Sequence, residues 1–207
     1  MLRYGLTGGI ASGKSTVAAM LREHGFAVLE ADKISHQLIE PGGAAYEEVI
    51  ARFGRQIVHT DGRINRGRLG AMVFHDPEGL KQLNGILHPR VEAELVRSLA
   101  ELEISGSVAV AFVEAALIFE AGLDARLDGV VVAWCLPEQQ VARLMERGMS
   151  EKEARQRIGA QIPVQEKLAL AAEKIDCSGS IEETRSQVDA LAAKLRAAAS
   201  PKLSGKF

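Results

Sequence analysis

The run Gly8-Gly9-Ile10-Ala11-Ser12-Gly13-Lys14-Ser15-Thr16 constrains this chain more than any other stretch. It lies between an apolar run, residues 2–6, and a helical pattern, residues 17–22, so strand, glycine loop and helix occur in the order a phosphate-binding loop requires. Glycines let such a loop curl until its amides face inward, and those amides, with the N-terminus of the following helix, hold phosphate oxygens. The expected contacts of a nucleoside triphosphate are Ala11, Ser12, Gly13, Lys14, Ser15 and Thr16. Lys14 reaches the terminal phosphates, the Ser15 hydroxyl serves a magnesium ion, and Thr16 meets the α-phosphate side.

Short β-rich runs at residues 2–6, 27–30, 108–113, 129–135 and 174–177 alternate with helical stretches, which predicts an α/β fold around a parallel sheet. Residues 46–105 break that rhythm with helical patterns alone and are expected to form a helical insertion covering the site. Asp61-Gly62 marks a turn in it, Asp76-Pro77 a helix start, and His88-Pro89 a further helix boundary. A second helical block, residues 137–172, is rich in arginine and suits a mobile lid. Residues 1–45, 106–136 and 173–196 then make the nucleotide-binding core of a single unit, and residues 197–207 a flexible tail.

At 207 residues, 47% of them hydrophobic, the chain can bury one sizeable core. A net charge of −2 and no long Lys/Arg run argue against a general nucleic-acid binder. No apolar run approaches membrane-spanning length, and the first strand begins too early to leave room for a signal peptide, so a cytoplasmic protein is expected. Cys135 and Cys177 show no metal-ligand spacing and read as reduced core thiols.

Further chemistry depends on residues at strand ends. Asp32 follows the second strand candidate, and ligands of open α/β sheets bind beyond the carboxyl ends of the strands. A carboxylate there orients an acceptor hydroxyl and takes its proton, or else caps the helix beginning at Lys33. Glu114 ends the third strand candidate, where it serves a magnesium ion or is merely solvated. Arg143 and Arg147 stand four apart on one helical face, with Arg155 and Arg157 beyond, and fit either a lid closing on phosphate or a solvated helix laced with glutamates. No histidine has a metal spacing. An Asn-Lys-x-Asp signature is absent, which argues against a guanine-specific switch.

Taken together these residues resemble the dephospho-coenzyme A kinase family over residues 4–188. Beyond the loop, the likeness rests on Ala31-Asp32 with Pro41-Gly42, then Asp61-Gly62 with Arg66, Leu69, Val73 and Phe74. It continues through Leu87-His88-Pro89, Leu117-Ile118-Phe119-Glu120, Gln140, Arg143-Leu144, Arg147, Gln161 and Lys167. The resemblance implies a P-loop kinase fold: a five-stranded parallel sheet flanked by helices, a helical substrate-binding insertion and an arginine-rich lid. It implies transfer of the ATP γ-phosphate, with Mg2+, to the ribose 3′-hydroxyl of the small-molecule partner dephospho-coenzyme A, in a monomer or weak homo-oligomer. Lys14, Asp32 and Arg143 are then the catalytic residues and Asp32, Arg66, His88 and Pro89 meet the acceptor. Arg143 and Arg147 belong to the lid, and Ser15 and Glu114 to the metal. The chain departs from the family pattern at Glu30, Asn65, Trp134, Ala172 and Cys177, and has Glu114-Ala115-Ala116 where Asp-x-Pro is usual.

Overall fold

A computed structural model, describing residues 1–74 and 76–199, shows five short strands, of which those at Val110–Glu114 and Gly129–Trp134 are the richest in valine. They are β1 (Leu2–Gly8), β2 (Ala27–Glu30), β3 (Val110–Glu114), β4 (Gly129–Trp134) and β5 (Glu173–Asp176). The sheet order is β2-β3-β1-β4-β5. β1 pairs in parallel with both β3 and β4, and β5 in parallel with β4. β3 is buried along its whole length, as a strand covered on both faces must be, and that is why it reads as an unbroken apolar run.

Helices α1 (Lys14–Glu23), α2 (Ala31–Leu38), α3 (Tyr46–Phe53), α4 (Arg66–Phe74) and α5 (Pro77–Ser105) precede or lead into β3. Helices α6 (Pro137–Glu146), α7 (Glu151–Gly159) and α8 (Val164–Leu170) lie between β4 and β5, and α9 (Ile181–Ala199) follows β5. The order places β1 at the switch point: successive strands go to one side of it and then to the other, and the crevice at such a point opens beyond the carboxyl ends of the strands. Leu6 pairs with Glu114 and Gly8 with Ala133, so the glycine loop leaves the sheet beside the ends of both β3 and β4.

The chain divides into two compact units, residues 1–29 with 102–207, and residues 30–101. The first has a core of Leu6, Val17, Leu21, Phe26, Phe112, Val131 and Ile175 against Val188, Leu191 and Leu195 of α9. The second unit takes in α2 as well as most of the expected helical insertion. Its core is built from Ile39, Val49, Phe53, Ile57, Leu69, Val73, Leu83, Ile86 and Leu87. The turn at Asp61-Gly62 forms as expected: Val58 and Ile64 bridge across it, the Arg63 N–H donates to Asp61 Oδ1 at 3.0 Å, and Tyr46 donates to the Gly62 carbonyl.

Two local expectations fail. His88-Pro89 is no helix boundary, because α5 runs through it for 29 residues with Pro89 inside. An interior proline costs about 3 kcal/mol. Leu83, Ile86 and Leu87 before it and Leu95 and Leu99 after it are all buried, and each contributes roughly 1.5–3 kcal/mol, so burial wins. Arg90 helps, since its Nη1 donates to the Ile86 carbonyl at 2.7 Å. The expected tail also begins too early: residues 197–199 continue α9, and the remainder of that stretch, 200–207, lies outside the described residues.

Candidate active site

The loop between β1 and α1 carries its curvature in two left-handed residues, Ala11 at φ 58° and Gly13 at φ 102°. Gly13 permits both that φ and a close approach, since a Cβ there would lie 2.8 Å from Cys177 Cβ. The Ser12 N–H donates to the Gly9 carbonyl at 3.1 Å, and the N–H groups of Thr16 and Val17 both donate to Gly13, closing the first turn of α1. Ser12 Oγ is a buried hydroxyl with no partner among the described residues. An orphaned polar atom costs about 1–3 kcal/mol, so it belongs to a loop shaped for an oxygen-rich ligand rather than for its own stability.

Lys14 Nζ lies 2.7 Å from Glu114 Oε1, and the Arg22 guanidinium lies 3.8 Å from the other carboxylate oxygen. Glu114 is buried, so it is neither a solvated strand end nor an isolated charge. The Ser15 hydroxyl belongs to an exposed residue in the first turn of α1. No group of three or more His, Cys, Asp or Glu side chains forms a metal cage among the described residues. One hydroxyl and one carboxylate beside a phosphate loop fit magnesium, which keeps most of its waters and takes the rest of its oxygens from phosphate.

Arg143, expected in a mobile lid, braces the loop from α6: Nη1 donates to the Ala11 carbonyl at 3.1 Å and Nη2 to the Cys177 carbonyl at 2.8 Å. Arg147, one turn on, is exposed. Both line a cavity of about 250 Å³ with Ala11, Gly13, Thr16, Cys177 and Gly179. Arg155 pairs with Glu151 on the exposed face of α7, which is the solvated-helix reading. Burial pushes the Cys177 thiol up to about 11, with Cys135 adding to the rise. Ala172, by contrast, packs under Gly129 and donates its N–H to the Val130 carbonyl at 2.9 Å, away from that cavity's walls.

In the second unit Asp32 occupies the first turn of α2, not its cap, which is Glu30. It is exposed, as are Arg66, His88 and Pro89. A carboxylate in the first turn is favoured by the helix dipole and keeps its oxygens available. His36 lies one turn beyond Asp32, and the Arg66 charge reaches it. Partial desolvation first, then Arg66, holds His36 below the usual histidine range, while Asp32 and Glu40 pull the other way. Asp32, His36 and Arg66 thus share one neighbourhood. Asn65 caps α4, its Oδ1 accepting the Arg68 N–H at 2.9 Å.

The family model described as CoaE, dephospho-CoA kinase, matches residues 2–183. The chain belongs to the dephospho-CoA kinase family. A dephospho-CoA kinase of Carboxydothermus hydrogenoformans is 46% identical over 185 residues, 89% of each chain. One of Geobacillus kaustophilus is 45% identical over 191 residues, 92% of this chain and 94% of the relative. Among solved structures, TT1252 of Thermus thermophilus superposes with a TM-score of 0.80 at 36% identity, covering 94% of this chain and 97% of that one. The dephospho-CoA kinase of Campylobacter jejuni gives 0.64 at 27% identity, over 93% and 96%. As a dephospho-CoA kinase family member the chain is a P-loop kinase that uses a nucleotide and acts on a small molecule. No helix among the described residues is long and apolar enough to cross a membrane.

Proposed function

We propose that this chain transfers the γ-phosphoryl group of ATP to the ribose 3′-hydroxyl of dephospho-CoA, giving CoA and ADP, the last step of CoA biosynthesis. The observation that carries the reading is the family match across residues 2–183, coinciding with a loop whose Lys14 and Glu114 are joined at 2.7 Å. Lys14 exchanges that bond for the terminal phosphates when the triphosphate arrives, drawn by a larger negative charge. Asp32 accepts the proton of the 3′-hydroxyl as its oxygen attacks the γ-phosphorus; the bond from that phosphorus to the β–γ bridging oxygen breaks, and ADP leaves. Magnesium, when bound, would neutralise phosphate charge, and Ser15 and Glu114 would hold it.

The cavity bounded by Arg143, Arg147, Cys177 and Gly179 adjoins the phosphate loop through Ala11, Gly13 and Thr16, and takes the base of the nucleotide. Arg143 donates to two carbonyls, and Arg147 makes no hydrogen bond or ion pair among the described residues. Arg143, which touches the phosphate loop at Ala11, is assigned to the charge developing on the transferred group, with Arg147 beside it in the lid. Arg66, His88 and Pro89 receive the acceptor. The enzyme works as a monomer or weak homo-oligomer in the cytoplasm.

Purified protein, ATP, Mg2+ and dephospho-CoA should yield CoA by mass spectrometry, and ADP release should accelerate when the acceptor is added. Asp32→Asn should lower kcat by about a hundredfold or more while preserving the KM for ATP. Phosphorylation of adenosine or a pantetheine in preference to dephospho-CoA would replace this acceptor by another, and unchanged turnover in Asp32→Asn would remove the base.

A further inference from the structure

One residue of the phosphate loop, Ile10, has both of its backbone polar groups held by glutamines from outside the loop. Gln140 Nε2, on α6, donates to the Ile10 carbonyl at 2.7 Å. The Ile10 N–H donates to Oε1 of Gln161, in the connection between α7 and α8, at 2.9 Å. Gly9 makes room for this grip, since a Cβ there would stand 2.4 Å from Gln140 Nε2.

The residues that follow Gln161 are anchored. The Ile162 N–H donates to Glu120 Oε1 at 3.4 Å. The wholly buried Lys167 donates to the Ala116 carbonyl at 3.0 Å and pairs with Glu120 at 2.8 Å. The same Ala116 carbonyl accepts from Thr7 Oγ1 at 3.1 Å, at the end of β1, and Glu114, which holds Lys14, stands two residues before it. Gln161 therefore reaches Ile10 from a segment tied to Glu120 and to the Ala116 carbonyl, which also holds Thr7 of β1.

The chemistry of the group matters as much as its place. A carboxamide oxygen satisfies the Ile10 N–H without bringing charge to a loop that receives phosphates. A carboxylate would satisfy the same N–H and repel the ligand, and an apolar side chain would leave the N–H without its acceptor. Resting on the reading that a triphosphate occupies this loop, we propose that Gln161 is a positioning residue for the phosphoryl donor. It fixes the Ile10 peptide, and by being neutral it admits the terminal phosphate.

Two variants separate the parts. Gln161→Met removes the acceptor at similar length; Gln161→Glu keeps the acceptor and adds charge. Amide hydrogen exchange at Ile10, measured without nucleotide, should lose protection in Gln161→Met and keep it in Gln161→Glu. By calorimetry Gln161→Met should weaken ATP and ADP together by up to about tenfold, the scale of one neutral hydrogen bond. Gln161→Glu should weaken ATP about tenfold more than ADP, because the added charge acts on the extra phosphate. Unchanged Ile10 exchange in Gln161→Met, or equal loss of ATP and ADP in Gln161→Glu, overturns the proposal. These readouts need no acceptor, so a chain that shows them yet makes no CoA refutes the assigned reaction and leaves the role of Gln161 standing.

Discussion

Replacing Lys167 by methionine tests the frame beneath the site. The ammonium is fully buried and has two partners, the Ala116 carbonyl at 3.0 Å and Glu120 Oε1 at 2.8 Å. Breaking a buried pair by removing one member costs about 3–5 kcal/mol, because a charge is left uncompensated. Here the orphan is partly relieved: the Glu120 side chain is 21% exposed and still accepts the Ile162 N–H, and the Ala116 carbonyl retains Thr7. The expected loss is therefore about 2–3 kcal/mol. For a chain of this length each kcal/mol moves the midpoint by roughly 2–4 °C, so thermal unfolding should shift down by about 4–12 °C. Adding Glu120→Gln removes the orphaned charge, and the double variant should return to within about 1 kcal/mol of the parent. A double variant whose loss equals the sum of the two single losses would refute the reasoning, since ammonium and carboxylate would then not be stabilising one another.

Two titrations probe the surroundings of the site. With its thiol at about 11, Cys177 is ionised to roughly one part in three thousand at pH 7.5, so in a Cys135→Ser background iodoacetamide should react slowly and about tenfold faster per pH unit up to pH 10; a fast, pH-independent reaction would contradict the burial that raises it. Arg66→Gln removes one of the causes that hold His36 low, and its ring proton resonances should titrate at higher pH than in the parent, a result overturned if they do not move. Because its folded pKa is depressed, His36 contributes stability above its unfolded pKa of about 6.5, and that contribution is lost as pH falls toward the folded value.

The central strands and the phosphate loop were legible because their signals are local. A strand covered on both faces must be apolar throughout, and a phosphate loop must place its glycines and lysine within eight positions. Pro89 misled for the same reason: the local rule for proline marks a boundary, while the deciding term is the burial of Leu83, Ile86, Leu87, Leu95 and Leu99 on either side. Of the two readings open for Asp32, the capping one fails, because α2 begins at Ala31 with Glu30 as its cap and Asp32 lies in the first turn.

What stayed hidden is the set of contacts that bridge long stretches of chain. Arginines four apart on a helix fit a lid, yet Arg143 binds the carbonyl of Ala11, 132 positions away, and no spacing within α6 encodes that partner. The same holds for Gln140 and Gln161, which meet Ile10 across 130 and 151 positions. Glutamine has no local signature in a helix, being neutral in propensity and common on surfaces. Its significance here arises only when the fold brings a carboxamide to a backbone group that the loop's curvature has withdrawn from every strand and helix. The loop's shape thus has two origins. Its glycines permit the bend, and the side chains of α6 and the α7–α8 connection select one bend among those permitted, so a change that spares every residue of the glycine motif should still alter how the loop holds phosphate.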